Sequence, residues 1–225
     1  MKLVSFSRNG QQGYGAVTDK GVVDLGAVMG SRFADLKALL AADAVAEAAT
    51  VAAQRAPDFA LADAVLLPVI PNPGKIWCCG LNYGEHVRET NREVTEQPTF
   101  FLRVADSQVG HEQAMVRPLE SVQFDYEAEI AVVIGRPGRR IAEADAGKHV
   151  AGYACYNDAS VRDWQMHTQQ WCPGKNFWRT GAFGPWMVTA DEIPAATELT
   201  PITRLNGVEM QHTTTALLVH TIPSL

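Results

Sequence analysis

The run FDYEAEIAVVIG, Phe124 to Gly135, sets two glutamates two residues apart at the start of an otherwise apolar stretch. Ile and Val at this density favour an extended strand, whose side chains alternate between faces. Residues 126, 128, 130, 132 and 134 then share one face, reading Tyr, Ala, Ile, Val, Ile. Residues 127, 129, 131 and 133 share the other, reading Glu, Glu, Ala, Val. Both faces are apolar beyond the carboxylates, so the strand is predicted to be covered on both sides, and Gly135 with Pro137 and Gly138 ends it. On such a strand the Cα atoms of Glu127 and Glu129 stand roughly 6.5–7 Å apart, near enough for their carboxylates to converge. Buried like charges must shift their pKa, find cations or hold a metal. The other reading is that the strand's first residues emerge into water, where the pair costs nothing. The segment by itself leaves both open.

Composition narrows the class of protein. A net charge of -6 without a basic cluster argues against a nucleic-acid partner. No apolar run reaches the length of a membrane helix, and MKLVSFSRNG lacks the core of a signal peptide. Cys78, Cys79, Cys155 and Cys172 form neither a C-x-x-C pair nor a disulfide framework, which fits a reduced, cytoplasmic setting.

Along the chain, residues 2–7, 13–18 and 21–24 read as short strands broken by RNGQQG and DKG. An Ala- and Leu-rich helical region follows over about 32–54, with a break near Asp43. ADAVLLPVI reads as a strand and PNPGK as a punctuating loop, which puts a boundary near Pro71 between residues 1–70 and 71–225. Beyond it, strands are predicted at about 75–80, 100–104, 129–134, 151–156, 186–189 and 202–206, and helices at about 83–90 and 159–168. No strand–helix alternation, phosphate-binding glycine loop or repeat is present. The fold class is α+β, a β-rich domain behind a small N-terminal one.

Three segments carry candidate chemistry. Asp158 in NDASVRDWQ stands where a strand is expected to pass into a helix, so helix capping is one role for it. On that helix Arg162 and Gln165 follow at i+4 and i+7, and the three line one face suited to an anion. The competing reading pairs Arg162 with Asp158 or Asp163 in a surface bridge. In GLNYGEHVRETN, His86 and Glu89 are helix neighbours at i and i+3, either a surface pair or a carboxylate that orients a general base. Lys175 in PGKNF lies beside Trp171, Phe177 and Trp178 in sequence; it is either desolvated, ready to hold an anion or stabilise an enolate, or a snorkelling surface lysine.

Taken in order, KIWCCGLNYGEHVRE, PTFFLR, FDYEAEIAVVIG, VAGYACYNDASVRDWQ, GKNF, GAFGPWMVTADEI and RLNGVEMQHTTT resemble the fumarylacetoacetate hydrolase family, from about Lys75 onward. The resemblance implies a mixed β-roll catalytic domain and a divalent cation, Mg²⁺ or Mn²⁺, held by Glu127, Glu129 and Asp158. It implies His86 with Glu89 as the base that activates water, and Lys175 as the lysine near the metal. Arg162, Gln165 and Arg103 fall at substrate-contacting positions. The expected substrate is a small 2-oxo or 1,3-dioxo acid, and the expected reaction is hydrolysis of an acylpyruvate-type C–C bond through an enolate. The alternatives are a decarboxylase, isomerase or hydratase of a related acid, or an inactive homologue that serves as a binding protein.

The sequence departs from the family pattern in two places. Trp178 stands where a small or acidic residue is usual and is expected to narrow the pocket. A Gly-Thr-Pro-Gly segment does not follow ALLVHTIPSL, and the strand edges this leaves open predict a homodimer with weakened turnover.

Overall fold

A computed structural model of the chain describes residues 1–84, 96–194 and 197–225. The first three strands, β1 (Lys2–Arg8), β2 (Gln11–Thr18) and β3 (Gly21–Asp24), form the expected antiparallel meander. Asn9 and Gly10 supply the positive φ of the first turn. Alternation along β1 sends Leu3 into one buried cluster and Val4 and Phe6 into another on the opposite face.

The helical region divides as expected at Asp43, whose φ is 56°. Helices α1 (Leu25–Met29), α2 (Leu36–Ala41) and α3 (Val45–Ala53) cover one face of the sheet through Leu25, Met29, Leu36, Leu39, Leu40 and Ala48. The predicted start near Arg32 moves to Leu36 because Asp35 caps α2, its Oδ1 accepting from Ala38 N at 2.7 Å. Of ADAVLLPVI only β4 (Val65–Leu66) is strand, paired with β1.

The remaining strands are β5 (Ile76–Gly80), β6 (Thr99–Arg103), β7 (Gln108–Val109), β8 (Phe124–Asp125), β9 (Ala128–Ile134), β10 (Val150–Asn157), β11 (Ser160–Val161), β12 (Gly181–Phe183), β13 (Met187–Thr189), β14 (Ile202–Leu205) and β15 (Val208–His212). The large mixed sheet runs β3-β2-β1-β13-β10-β12-β7, with β4 added to β1 and β9 to β10. Within it β12 and β7 are parallel. Residues 67–75, around the boundary expected at Pro71, contain neither helix nor strand. Across them the sheet is continuous, because β1 pairs with β13 at Lys2–Val188 and Leu3–Met187. One buried cluster accordingly joins Leu3 and Leu36 to Ala154, Phe183 and Met187.

Two expectations about the central strands are corrected. β9 is only partly buried along its length, and Ile134 is exposed. That partial exposure is what departs from a strand covered on both sides; among the described residues β10 is its one strand partner. The helix expected at 159–168 is a single turn, Arg162–Gln165. Its first residues stay extended because Ser160 and Val161 pair with Asp125 and Phe124 in β8. This pairing keeps the register of the β9–β10 ladder, in which Tyr156 faces Glu129 and Asn157 faces Ala128. The two strands pair, break at the turn-like step near Glu127 and Asp158, and resume in step.

Candidate active site

The register of that interrupted ladder builds the site. In an antiparallel pair, directly opposed residues project from the same face. Glu129 is opposite Tyr156, and Asp158 N donates to Glu127 O at 2.9 Å where the ladder would continue. Glu127 N in turn donates to Asn157 Oδ1 at 3.0 Å. Glu127, Glu129 and Asp158, far apart in sequence, thus meet at one end of β9 and β10.

Asp158 is not a helix cap. Its side chain is buried, with Oδ1 accepting from Arg103 Nη1 at 2.6 Å and Oδ2 from Lys175 Nζ at 2.7 Å. Lys175 ends the one-turn helix Cys172–Lys175 and also donates to Glu127 Oε2 at 2.6 Å. Its side chain is only 2 % exposed and its ammonium lies 4.9 Å from the Phe101 ring centroid. Between the two sequence readings of Lys175, the structure has the desolvated one.

Arg162 hydrogen-bonds Glu127 Oε1, reaches Asp125 Oδ2 through Nη2 at 2.7 Å and Nε at 3.0 Å, and donates to Gln165 Oε1 at 3.1 Å. Arg162 and Gln165 share their helical turn, but Asp158 precedes it in extended chain, so the predicted stripe of three is not formed. Gly174 makes the two short helices fit: a Cβ there would lie 2.4 Å from Gln165 N.

Arg103, at a position expected to contact substrate, clamps Asp158. Its side chain is fully covered, and besides Asp158 it donates to Ala159 O at 3.2 Å, Thr180 Oγ1 at 2.9 Å and Ser107 Oγ at 3.3 Å. Trp178, expected to narrow the pocket, is 62 % exposed with the Arg179 guanidinium 5.2 Å from its ring centroid. His86 and Glu89 lie outside the described residues. Asp125 continues the alternation of Glu127 and Glu129 back by one step, which is its one signal in the sequence. Ser107 and Thr180, which no motif marks, complete the shell.

Charge is unevenly answered here. Burial pushes the Glu127 carboxyl up, but the charges and hydrogen bonds of Lys175 and Arg162 outweigh it and leave the group below its usual value. Glu129 has no such relief: burial, then the carboxylates of Asp158 and Glu127, push it up to about 8 against the pull of Lys175. Among the described residues its side chain makes no hydrogen bond or ion pair. Burial, then nearby Glu129, also raises the Tyr83 hydroxyl, and burial, then Asp158, the Cys78 thiol.

Asp125, Glu127, Glu129 and Asp158 face Arg103, Arg162 and Lys175, four acidic groups against three basic ones, and Glu129 is the acid that holds its proton. An all-oxygen set in which one carboxyl has no cation partner among the described residues fits a hard divalent cation. As arranged, however, no three acidic, histidine or cysteine side chains among the described residues aim together at one ion position. The oxygens of Glu127 and Asp158 are turned to the fixed cations.

Residues 75–225 match the model of the fumarylacetoacetate (FAA) hydrolase C-terminal domain. Oxaloacetate tautomerase FAHD2A, mitochondrial, of Bos taurus is 37% identical over 169 residues, which are 74% of this chain and 54% of the bovine one. The chain spans about half the length of the curated relatives it matches. A Mycobacterium smegmatis protein provisionally named HpcE superimposes with a TM-score of 0.88 at 31% identity, over 100% of this chain and 79% of that one. Maleylpyruvate hydrolase from Sphingobium sp. SYK-6, solved with manganese(II) and pyruvate, gives a TM-score of 0.78 at 27% identity, over 100% and 80% of the two chains. Among the described residues no helix is long and apolar enough to cross a membrane.

Proposed function

Because the chain belongs to the fumarylacetoacetate hydrolase family, we propose that it is a divalent-metal-dependent enzyme acting on a small 2-oxo or 1,3-dioxo acid through an enolate. Hydrolysis of an acylpyruvate-type C–C bond is the reaction we assign. The observation that carries this reading is the cluster of Glu127, Glu129 and Asp158 around the buried ammonium of Lys175. Those three carboxylates would hold Mg²⁺ or Mn²⁺, whose charge stabilises the enolate oxygen when it is bound.

The chain's own residues supply the rest. Arg103 holds Asp158 in place and excludes water from behind it. Lys175 offers positive charge to the developing enolate, and Arg162 with Gln165 forms the polar wall nearest to it. His86, oriented by Glu89, would take the proton of the water that attacks the distal carbonyl. The C–C bond then breaks, its electron pair passes to the enolate, and a proton returned to that carbon completes the ketone.

The second reading is keto–enol isomerisation of a related 2-oxo acid, favoured by the identity to the bovine tautomerase. It needs the same enolate stabilisation but no water aimed at a carbonyl. The chelator-treated protein should be given an acylpyruvate or enol oxaloacetate, with and without Mn²⁺. Mn²⁺-dependent release of pyruvate supports the hydrolase. Faster ketonisation of oxaloacetate without cleavage of the acylpyruvate selects the isomerase, and neither activity would defeat the enzymatic reading. The free cysteines support action in a reducing, cytoplasmic compartment. The exposed face of Trp77, Phe100 and Leu102 supports a homodimer, which light scattering would test.

A further inference from the structure

We infer that Lys175 is the resident cation of the carboxylate cluster, and that a divalent ion enters by exchange with its ammonium, not by addition to an empty cage. The inference rests on the metal-dependent reading above. Four oxygens carry it. Asp158 gives Oδ1 to Arg103 and Oδ2 to Lys175; Glu127 gives Oε1 to Arg162 and Oε2 to Lys175. The two arginines are anchored elsewhere, Arg103 on Ser107, Ala159 and Thr180, and Arg162 on Asp125. Withdrawing either would leave several groups unpaired, some of them buried.

Lys175 is tied down differently. Apart from the two carboxylates, among the described residues its ammonium has only the Asp158 carbonyl at 3.3 Å and the face of Phe101. It sits on a flexible four-carbon stem. Lys175 therefore holds the one oxygen of each carboxylate that an ion can take without dismantling an arginine clamp. Glu129, the third ligand, is the member without a cation partner among the described residues. An ion on these three side chains would stand within a few ångström of the ammonium, where repulsion is strong in a site of lowered dielectric. Binding must move the ammonium aside, and the displaced group is then free to meet an anionic part of a substrate. In the ion-free protein the same ammonium keeps the buried carboxylates neutralised, so the fold does not depend on the metal.

The test is calorimetric titration of the chelator-treated 225-residue protein with MnCl₂, together with thermal unfolding with and without Mn²⁺. Wild type, Lys175→Met, Lys175→Gln and Lys175→Arg are compared. Exchange predicts that the Met and Gln variants bind Mn²⁺ at least about tenfold more tightly than wild type, while Arg gives no gain. It also predicts that these two variants melt lower than wild type without the ion and are stabilised more by it. Binding by the neutral variants alone, with none in wild type, supports exchange in its strongest form. Equal or weaker binding in both neutral variants, with wild-type binding intact, overturns exchange and leaves the metal-dependent reading standing. No binding in any form overturns both. Neutral variants that stay unfolded even with Mn²⁺ overturn exchange, because the ion then does not replace the ammonium.

Discussion

At the scale of single residues, Glu129 is the member of the cluster with no cation held against it among the described residues, and this has a pH signature. Its folded pKa of about 8 lies above the ordinary value of 4.5, so the native state binds that proton more tightly than the unfolded chain does. The resulting penalty is absent below pH 4.5, grows as pH rises towards about 8 and is complete above it. The chelator-treated protein should therefore lose stability across that window, and Glu129→Gln should flatten the slope. Urea denaturation at a series of pH values checks this; the same slope in both proteins would remove Glu129 as its source. Arg103 makes the opposite kind of contribution, as the covered partner of a buried carboxylate. Replacing it by Met leaves Lys175 as the remaining cation on Asp158 among the described residues and removes the guanidinium's bonds to Ser107, Ala159 and Thr180. The expected cost is about 3–5 kcal/mol, read from chemical denaturation. A loss below about 1 kcal/mol would mean that Lys175 suffices to hold Asp158.

At the scale of elements, two short helices with little stability of their own carry Arg162 and Lys175. Each is one turn long, and isolated helices of that length do not persist in water. They are held by tertiary contact, which is closest where Gly174 lies against the backbone of Gln165. A methyl group at 174 would meet Gln165 N at 2.4 Å and its Cα at 2.6 Å, and neither is the movable end of a side chain. Gly174→Ala should therefore push the two turns apart and cost about 1–3 kcal/mol in thermal or urea unfolding. Unchanged stability would show that the turns are coupled elsewhere.

At the scale of the whole molecule, the N-terminal meander and the site-bearing strands share one sheet through β1 and β13 and one buried cluster through Leu3, Leu36, Ala154 and Met187. Ala190 N also donates to Ala151 O, and Thr189 N to Met1 O, tying the seam on both sides. Units that share a sheet and a core unfold together, since separating them exposes apolar surface on each. A single calorimetric transition is expected for the chelator-treated chain. Two resolved transitions, with the site lost in only one of them, would mean that the β1–β13 seam is weaker than the cores beside it.

Local periodicity in the sequence was enough to determine the first meander, the helix break at Asp43 and the common face of Glu127 and Glu129, because each depends on residues a few positions apart. The order of motifs carried the family, and the pattern of expected strands and helices carried the α+β class. Even Arg103 had a legible signal, since it shares the inward face of β6 with Phe101. The sequence could not set how far apart strands would register. Asp158 reaches the glutamates only because β10 pairs with β9 in one register and β11 with β8 in the same one. Likewise, whether Lys175 snorkels or is buried depends on Glu127 and Asp158 being there to receive it. Those outcomes rest on long-range pairing and desolvation, energies that exist only once distant segments are in contact, and so the tertiary structure alone decided them.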